Sequence, residues 1–228
     1  MKHKHSHLLV GYWSRIRRGR AVPDQTDIDP RAIKRVLPHV FILDCENSSR
    51  PIYRLAGTGL CERFGFELKG TGFLAHWEAQ SSIALASLLK QALELRQPVS
   101  VSSSGASPDC GLVELETILA PITFGGGAPT RFVGMIQVLS DIGKLGGRPI
   151  AFQRLVGSQF VREDEPLSSF DAPSPPPSSN DRMRAHSKAS YLRLVVSHDK
   201  PRTLHFESDT VLQRVIDAFS TNPVTGTK

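Results

Sequence analysis

The stretch HVFILDCENSSRPIYRLAG, residues 39–57, decides the fold class because it holds two strand patterns joined by a turn. Branched and aromatic side chains dominate residues 39–45 and return in residues 51–56, whereas the residues between them are polar and suit a tight connection. Gly57 and its neighbours end the second pattern. The stretch therefore predicts an antiparallel β-hairpin.

The residues after the hairpin predict helices and then three more strands. A short helix is expected at residues 60–64 and a long one at residues 82–96, where apolar residues recur at helical spacing. Strands are expected at residues 99–103, 112–124 and 131–140, and a glycine-rich loop joins the last two. This order predicts an α+β fold with a five-stranded antiparallel sheet and helices on one face.

The N-terminal segment predicts an amphipathic helix. Residues 1–20 contain six lysine and arginine residues and no acidic residue. Leu9, Tyr12, Trp13 and Ile16 form an apolar stripe at helical spacing, with arginines on the opposite side. This stripe must pack on the chain's own sheet or on a second copy of the chain. We take the four residues as the candidate dimer or partner interface, and we expect a homodimer.

The composition divides the chain into four segments. Residues 166–190 are rich in serine and proline and cannot bury enough apolar surface to fold. A second helix is expected at residues 30–37, capped by Asp29 and ended by Pro38. We predict an N-terminal helical segment at residues 1–37, a folded domain at 38–142, a largely disordered linker at 143–190 and a short C-terminal element at 191–228.

Membrane insertion and secretion are excluded by the apolar pattern and the cysteines. The longest apolar runs are far shorter than the roughly 20 residues that a spanning helix needs. The N-terminus lacks the apolar stretch of a secretory signal. Three widely spaced cysteines indicate free thiols in a reducing compartment. We therefore expect a cytoplasmic protein without a membrane segment.

Several short motifs, found between about residues 8 and 140, carry a resemblance to a known family. They are Tyr12-Trp13, Gly19-Arg20, Asp27-Ile28-Asp29-Pro30, Leu37-Pro38-His39-Val40, Tyr53-Arg54-Leu55-Ala56-Gly57-Thr58, Phe64-Gly65, Ala120-Pro121-Ile122 and Gly134. On these residues the chain resembles PAS domains, and among them a family of small alphaproteobacterial PAS proteins of unknown function. The resemblance implies a single PAS-like domain flanked by the N-terminal helix, with a sensor or adaptor role in signalling.

The resemblance also implies a space between the sheet and its helices, which we take as the candidate ligand pocket. The residues placed there are Tyr53, Arg54, Leu55, Leu60, Phe64, Phe73, Trp77, Ile83, Leu88, Leu115 and Ile136. The alternative is that these side chains fill the space as an ordinary core. Arg54 is expected either to meet an anionic ligand or to pair with Glu114 across the sheet.

The sequence indicates no cofactor and no metal site. Cys61 lies near the place of the reactive cysteine in flavin-binding relatives, but the residues around it differ. His76 precedes the long helix, where a surface histidine is expected rather than a haem ligand. His3, His5 and His7 are expected in a disordered tail rather than a metal site. We therefore name no metal ligand and no catalytic residue, and any cofactor stays unknown.

We expect a cytoplasmic sensor or adaptor that binds a small ligand or a protein partner and regulates a signalling pathway in trans. The chain is not expected to be an enzyme, because no nucleophile motif stands in the required context. One alternative is a small enzyme that uses the cleft, with Glu114 and Glu116 as paired carboxylates, although carboxylates on a half-exposed strand are more often a solvated face. The other is a nucleic-acid-binding regulator that uses Arg15, Arg17, Arg18 and Arg20.

Overall fold

The computed structural model describes residues 1–46 and 50–161. Its helices are α1 (Lys4–Ile16), α2 (Thr58–Phe64) and α3 (Ala79–Leu95), and its strands are β1 (Val40–Asp44), β2 (Ile52–Ala56), β3 (Val99–Ala106), β4 (Leu112–Ile122), β5 (Arg131–Val138) and β6 (Phe152–Phe160). Short 3₁₀ turns lie at Gln25–Asp27, Pro30–Ile33, Leu37–His39, Phe73–His76 and Ile142–Leu145. The predicted C-terminal element, residues 191–228, lies outside the described residues.

The strands form one antiparallel sheet in the order β2-β1-β5-β4-β3-β6. This confirms the α+β class and the predicted hairpins, but the sheet has six strands rather than five. The additional strand, β6, pairs with β3 from Val99 opposite Phe160 to Ala106 opposite Phe152. It lies within the segment that the sequence assigns to the linker, so the linker prediction is wrong for residues 152–160. The sequence of β6 contains polar residues such as Arg154, so it shows no strand pattern of its own. The strand forms because it pairs with β3.

Alternate residues of β4 face opposite sides of the sheet and define two cores. Val113, Leu115 and Leu119 face α2 and α3, and we call this side the inner face. Ile118, Ala120 and Ile122 face the opposite side of the sheet, and we call that side the outer face. The period of two residues follows directly from strand geometry.

Gly134 permits the closest packing on the inner face. It pairs with Phe41 across β5 and β1. A Cβ atom at Gly134 would lie 2.3 Å from Cζ of the Phe41 ring, which is closer than any real contact. The Phe41 ring therefore occupies the place that a side chain at residue 134 would take.

The outer face is covered by α1, so helices lie on both faces of the sheet rather than on one. Leu9 and Trp13 are buried against β4 and β5. The indole Nε1 of Trp13 donates a hydrogen bond of 2.7 Å to the Pro121 carbonyl oxygen. Tyr12 is also buried, and Ile16 packs partly buried beside it. The sequence predicted that the apolar stripe packs either on the chain's own sheet or on a second copy of the chain. In the structure it packs on the chain's own sheet.

The segment predicted as a helix at residues 30–37 forms only the 3₁₀ turn Pro30–Ile33. Asp29 caps it as expected, accepting the Arg31 backbone N–H at 2.9 Å. Pro38 has no backbone N–H with which to extend a helix from residue 30, so the segment is too short to offset the cost of helix nucleation.

Neither α1, α3 nor any other helix in the described part of the chain has the length and hydropathy that crossing a bilayer requires.

Candidate functional site

Most of the predicted pocket residues lie together between the inner face and the helices. Tyr53, Leu60, Phe64, Phe73, Trp77, Leu115 and Ile136 are buried in one cluster, and Leu88 packs against it. Arg54, Leu55 and Ile83 are exposed and do not line it. Ile83 points away because the buried stripe of α3 runs through Leu85 and Leu89.

Arg54 pairs with Asp44, not with Glu114. The Arg54 Nε lies 2.9 Å from Asp44 Oδ2, and Arg131 lies 3.2 Å from the same oxygen. Burial alone would raise the pKa of Asp44, but the hydrogen bonds and the two arginines hold it below its usual value. Glu114 is out of reach because β1 and β5 separate β2 from β4.

Aromatic rings fill one end of the predicted space. The Phe41 and Tyr53 ring centroids lie 5.5 Å apart, Tyr53 and Phe73 lie 5.7 Å apart, and Phe73 and Trp77 lie 5.8 Å apart. Burial raises the pKa of the Tyr53 phenol, which keeps it neutral. At this end the side chains form a packed core, which was the alternative that the sequence left open.

The rest of the inner face carries buried polar groups with no hydrogen-bond partner among residues 1–46 and 50–161. These are Trp77 Nε1, Ser103 Oγ, Thr117 Oγ1 and both amide atoms of Gln153, and we call the four residues the polar row. All four residues are buried. A buried polar group left unpaired costs about 1–3 kcal/mol, so such groups are uncommon and each requires an explanation.

The strand register places the polar row on one surface. Thr117 lies opposite Val101 and Ile136, both of which belong to the inner core. Gln153 lies opposite Gly105 and bridges to Trp77 just before α3. None of the four side chains ionises in the physiological range, so the row offers neutral donors and acceptors.

Of the polar row, the sequence identified only Trp77. Thr117 stands in phase with Leu115 and Leu119, and a polar residue among inward-facing apolar residues was the signal available for it. Gln153 gave no signal because β6 itself was not predicted.

His76 lies in the turn Phe73–His76 ahead of α3, as expected, but it is not a surface residue. Its ring packs against Phe64 and Phe66, with centroids 5.8 Å and 5.0 Å away. Burial lowers the pKa of His76, and its Nε2 has no hydrogen-bond partner in the described part of the chain.

Glu116 lies buried on the outer face, where the sequence allowed a solvated residue or a catalytic carboxylate. Its carboxylate accepts hydrogen bonds from the backbone N–H groups of Lys2 and His3, at 2.6 and 3.0 Å, and from the Ser6 hydroxyl at 2.5 Å. Burial would raise the pKa of Glu116, but these hydrogen bonds lower it. Glu114, on the same side of β4, is exposed. Glu116 therefore anchors α1 to the sheet.

The residues predicted as a histidine tail belong to α1. His3 is its N-cap residue, and its Nδ1 accepts the backbone N–H of His5 at 3.1 Å. Among the described residues, no three histidine, cysteine or acidic side chains lie close enough to hold a metal ion.

Several arginines of the basic segment make contacts within the chain. Arg15 and Arg17 lie over the rings of Tyr12 and Trp13, each 5.6 Å from the ring centroid. Arg20 forms an ion pair of 2.7 Å with Asp27. The basic segment therefore helps to hold α1 and the following turn in place.

Open cavities lie outside the inner core. One of about 550 Å³ lies between Arg20, Arg96 and the triple-glycine loop, and one of about 320 Å³ lies beside Asp44 and Arg54. A third, of about 510 Å³, lies between α2, the turn Leu37–His39 and the turn Ile142–Leu145.

Comparison with known proteins identifies the fold family. A family model described as "PAS domain" matches residues 1–137. No curated protein matches the chain. The crystal structure of a Rhodobacter sphaeroides LOV protein is similar, with 16% identity, a TM-score of 0.37, and coverage of 51% of this chain and 71% of that one. The structure of a single-substitution variant, RsLOV D109G, is also similar, with 16% identity, a TM-score of 0.37, and coverage of 51% of this chain and 72% of that one. Because the family match spans more than half of the sequence, the chain belongs to the PAS domain family, whose domains are sensory.

Proposed function

We propose that this PAS domain is a cytoplasmic sensor or adaptor that binds an uncharged small molecule at the polar row and regulates a signalling pathway through a partner. The observation that carries the proposal is the set of unpaired polar atoms on Trp77, Ser103, Thr117 and Gln153. A ligand that bonded to them would recover the free energy that their burial costs. The four side chains of the row include no carboxylate, imidazole or amine that could activate the Ser103 or Thr117 hydroxyl, so we propose binding rather than catalysis.

The chemistry of the polar row defines the ligand class. Trp77 offers an N–H donor, the two hydroxyls donate or accept, and the Gln153 amide does both. The surrounding walls are aromatic and aliphatic. An uncharged molecule with both donors and acceptors matches these groups, because an ion would be buried without a counter-charge. Entry requires movement of Trp77 away from β6, to which it is bridged through Gln153.

The signal would pass through β4 to α1. Thr117 belongs to the inner polar row, whereas its neighbour Glu116 holds the N-terminus of α1 on the outer face. A ligand that shifts β4 at Thr117 therefore shifts the anchor of α1, and the changed population of α1 positions is what a partner would recognise.

The test compares two variants of the polar row with one control variant, all in the full chain. Native mass spectrometry and a visible absorption spectrum of the purified protein report any bound molecule. We expect Thr117→Val and Ser103→Ala to lose that molecule. Ser102→Ala, one residue along β3 and partly exposed, is the matched control and should keep it.

Stability provides a second readout. Thr117→Val removes an unpaired hydroxyl without changing shape, so the ligand-free variant should be more stable than the ligand-free wild type by about 1 kcal/mol. The proposal fails if the protein purifies without a ligand and its melting temperature does not change with a panel of uncharged heterocycles.

We also propose a homodimer, although its interface cannot be the buried stripe of α1. Leu55 is half exposed on β2 and pairs with Ile42, a member of the outer core. An apolar residue at this edge extends the outer core to the surface. Leu55→Glu should give a monomer by size-exclusion chromatography with light scattering, and an unchanged dimer excludes this surface.

A further inference from the structure

The cavity between α2 and the turn Ile142–Leu145 is a separate candidate site. Its volume is about 510 Å³, and it shares no residue with the polar row. Its charged and titratable lining residues are His39, Glu62, Arg63 and Arg148. The volume falls in the range of natural small-molecule sites.

Arg63 is a partly buried cation without an anionic partner at bonding distance. Its Nη1 is buried and has no hydrogen-bond partner, and no ion pair within the described residues includes it. Burial lowers the pKa of Arg63, while the neighbouring Glu62 raises it. The Arg63 carbonyl oxygen accepts the Ile150 backbone N–H at 2.8 Å, which holds the residue in place. A buried cation of this kind is stabilised when an anion binds beside it.

His39 adds a neutral hydrogen-bonding group to the same wall. Its Nδ1 is buried and has no hydrogen-bond partner among the residues that the structure describes. Its ring lies so close to Gly59 that a Cβ atom there would be only 3.0 Å from it. Burial lowers the pKa of His39, and the nearby Arg63, His5 and His3 lower it further, while Glu62 acts in the opposite direction. A neutral imidazole can donate one N–H to an anion without adding a charge.

Arg148 lies at the rim and is available to a ligand. Its Nε lies 2.9 Å from Asp109 Oδ2, and both side chains are about two-thirds exposed. Exposed ion pairs contribute little stability, so an anion in the cavity can replace Asp109 as the partner of Arg148. With Glu62 as the single lining carboxylate, the two arginines leave one net positive charge.

We propose that this cavity binds a phosphate group, either as inorganic phosphate or on a small phosphorylated molecule. Arg63 and Arg148 supply two guanidinium groups to the phosphate oxygens, and His39 supplies a neutral N–H donor from the same cavity lining. Planar guanidinium groups match phosphate oxygens in geometry as well as charge. The proposal does not depend on the uncharged ligand at the polar row.

The experiment measures binding of inorganic phosphate and of glucose 6-phosphate to the full chain by calorimetry and thermal shift, at constant low ionic strength. Glucose and sodium chloride are the controls. We expect both phosphates to raise the melting temperature and glucose to leave it unchanged. A binding constant about tenfold tighter for glucose 6-phosphate identifies a phosphorylated molecule as the ligand, whereas equal or weaker binding identifies free phosphate.

Variants separate a binding role from a structural one. Arg63→Gln should weaken phosphate binding by about tenfold or more, because it removes a charged hydrogen bond, while it keeps or raises the melting temperature of the phosphate-free protein. Arg148→Gln should weaken binding less. Arg35→Gln, at an exposed arginine outside the cavity, is the matched control and should bind normally. The proposal is overturned if neither phosphate binds, or if Arg63→Gln binds as the wild type does.

Discussion

The Ser6 hydroxyl donates a hydrogen bond of 2.5 Å to the carboxylate of Glu116, 110 residues away in the sequence. The same carboxylate accepts the first backbone N–H groups of the chain, at Lys2 and His3. A helix N-terminus carries partial positive charge and unpaired N–H groups, and a buried carboxylate satisfies both. This contact explains why a glutamate stands on a strand whose other outward residues, from Ile118 onward, are apolar.

Replacing Glu116 should loosen α1. Glu116→Gln keeps the size of the side chain but removes its charge. It also replaces one acceptor oxygen with an amide N–H₂ group, which cannot accept a hydrogen bond from the Lys2, His3 or Ser6 donors. We expect the free energy of unfolding to fall by about 2 kcal/mol. Urea unfolding followed by tryptophan fluorescence measures it. Glu114→Gln, two residues earlier and exposed, is the control and should change stability by less than about 0.5 kcal/mol. Equal effects of the two variants would contradict the anchor role.

A side chain at Gly134 should disrupt the inner core. Gly134→Ala places a methyl group against the Phe41 ring, so the ring or both strands must move. We expect a loss of about 3 kcal/mol, at the upper end for overpacking. Adding Phe41→Leu should recover part of this loss by making room, and a double-mutant cycle quantifies the coupling. Gly157→Ala, where the added Cβ meets no atom within 4 Å, is the control.

Stability should fall as the pH is lowered through the titration range of histidine. The pKa values of His3, His5, His39 and His76 lie below the ordinary value of 6.5 in the folded chain, with burial as the first cause for each. The unfolded chain therefore binds more protons below about pH 6.5, and unfolding becomes easier on acidification. Thermal unfolding from pH 8 to about pH 5 measures this. His76→Phe, which suits the site beside Phe66, should reduce the slope, and an unchanged slope would contradict the assignment.

Removing residues 1–20 should cause aggregation. The deletion removes α1 and exposes the outer core, including Ile118, Ile122 and Met135. Exposed apolar patches of this kind lead to association. Light scattering of the shortened protein should therefore show large particles. Trp13→Phe, which keeps most of the stripe but loses the bond to Pro121, is the milder comparison and should lower stability by about 1 kcal/mol. A monodisperse monomer with the melting temperature of the full chain would refute the structural role of α1.

The sequence predicts those elements whose patterns are local. The hairpin of β1 and β2, the helix α3 and the pairing of β4 with β5 follow from alternation, helical spacing and glycine-rich turns. β6 could not be found in the same way, because Arg154, Ser158 and Gln159 make it as polar as a linker. An edge strand of this kind is specified by its neighbour β3, which is some 50 residues earlier.

The candidate site was predicted in part, for a similar reason. The aromatic residues Tyr53, Phe73 and Trp77 could be placed from their family positions, and they meet on the inner face. Thr117 was not identified, and Glu116 was named only as a solvated residue or a candidate carboxylate. The alternation of a single strand does not show whether a polar side chain on it faces water, a covering helix or a buried space. Arg54 was placed beside the pocket from the family resemblance. The register irregularity between Ile42 and Leu43, which affects how β2 pairs with β1, could not be found from the sequence.

The sixth strand also determines where the chain can be shortened for laboratory work. The family match stops at residue 137, yet β6 continues the hydrogen-bond ladder to Phe160, and Val161 donates one further bond to the Pro98 carbonyl oxygen at 2.8 Å. Expression trials that end near residue 140 would strip β3 of its neighbour and leave its peptide groups to pair between molecules in solution. Recombinant versions of this domain should therefore extend at least through residue 161.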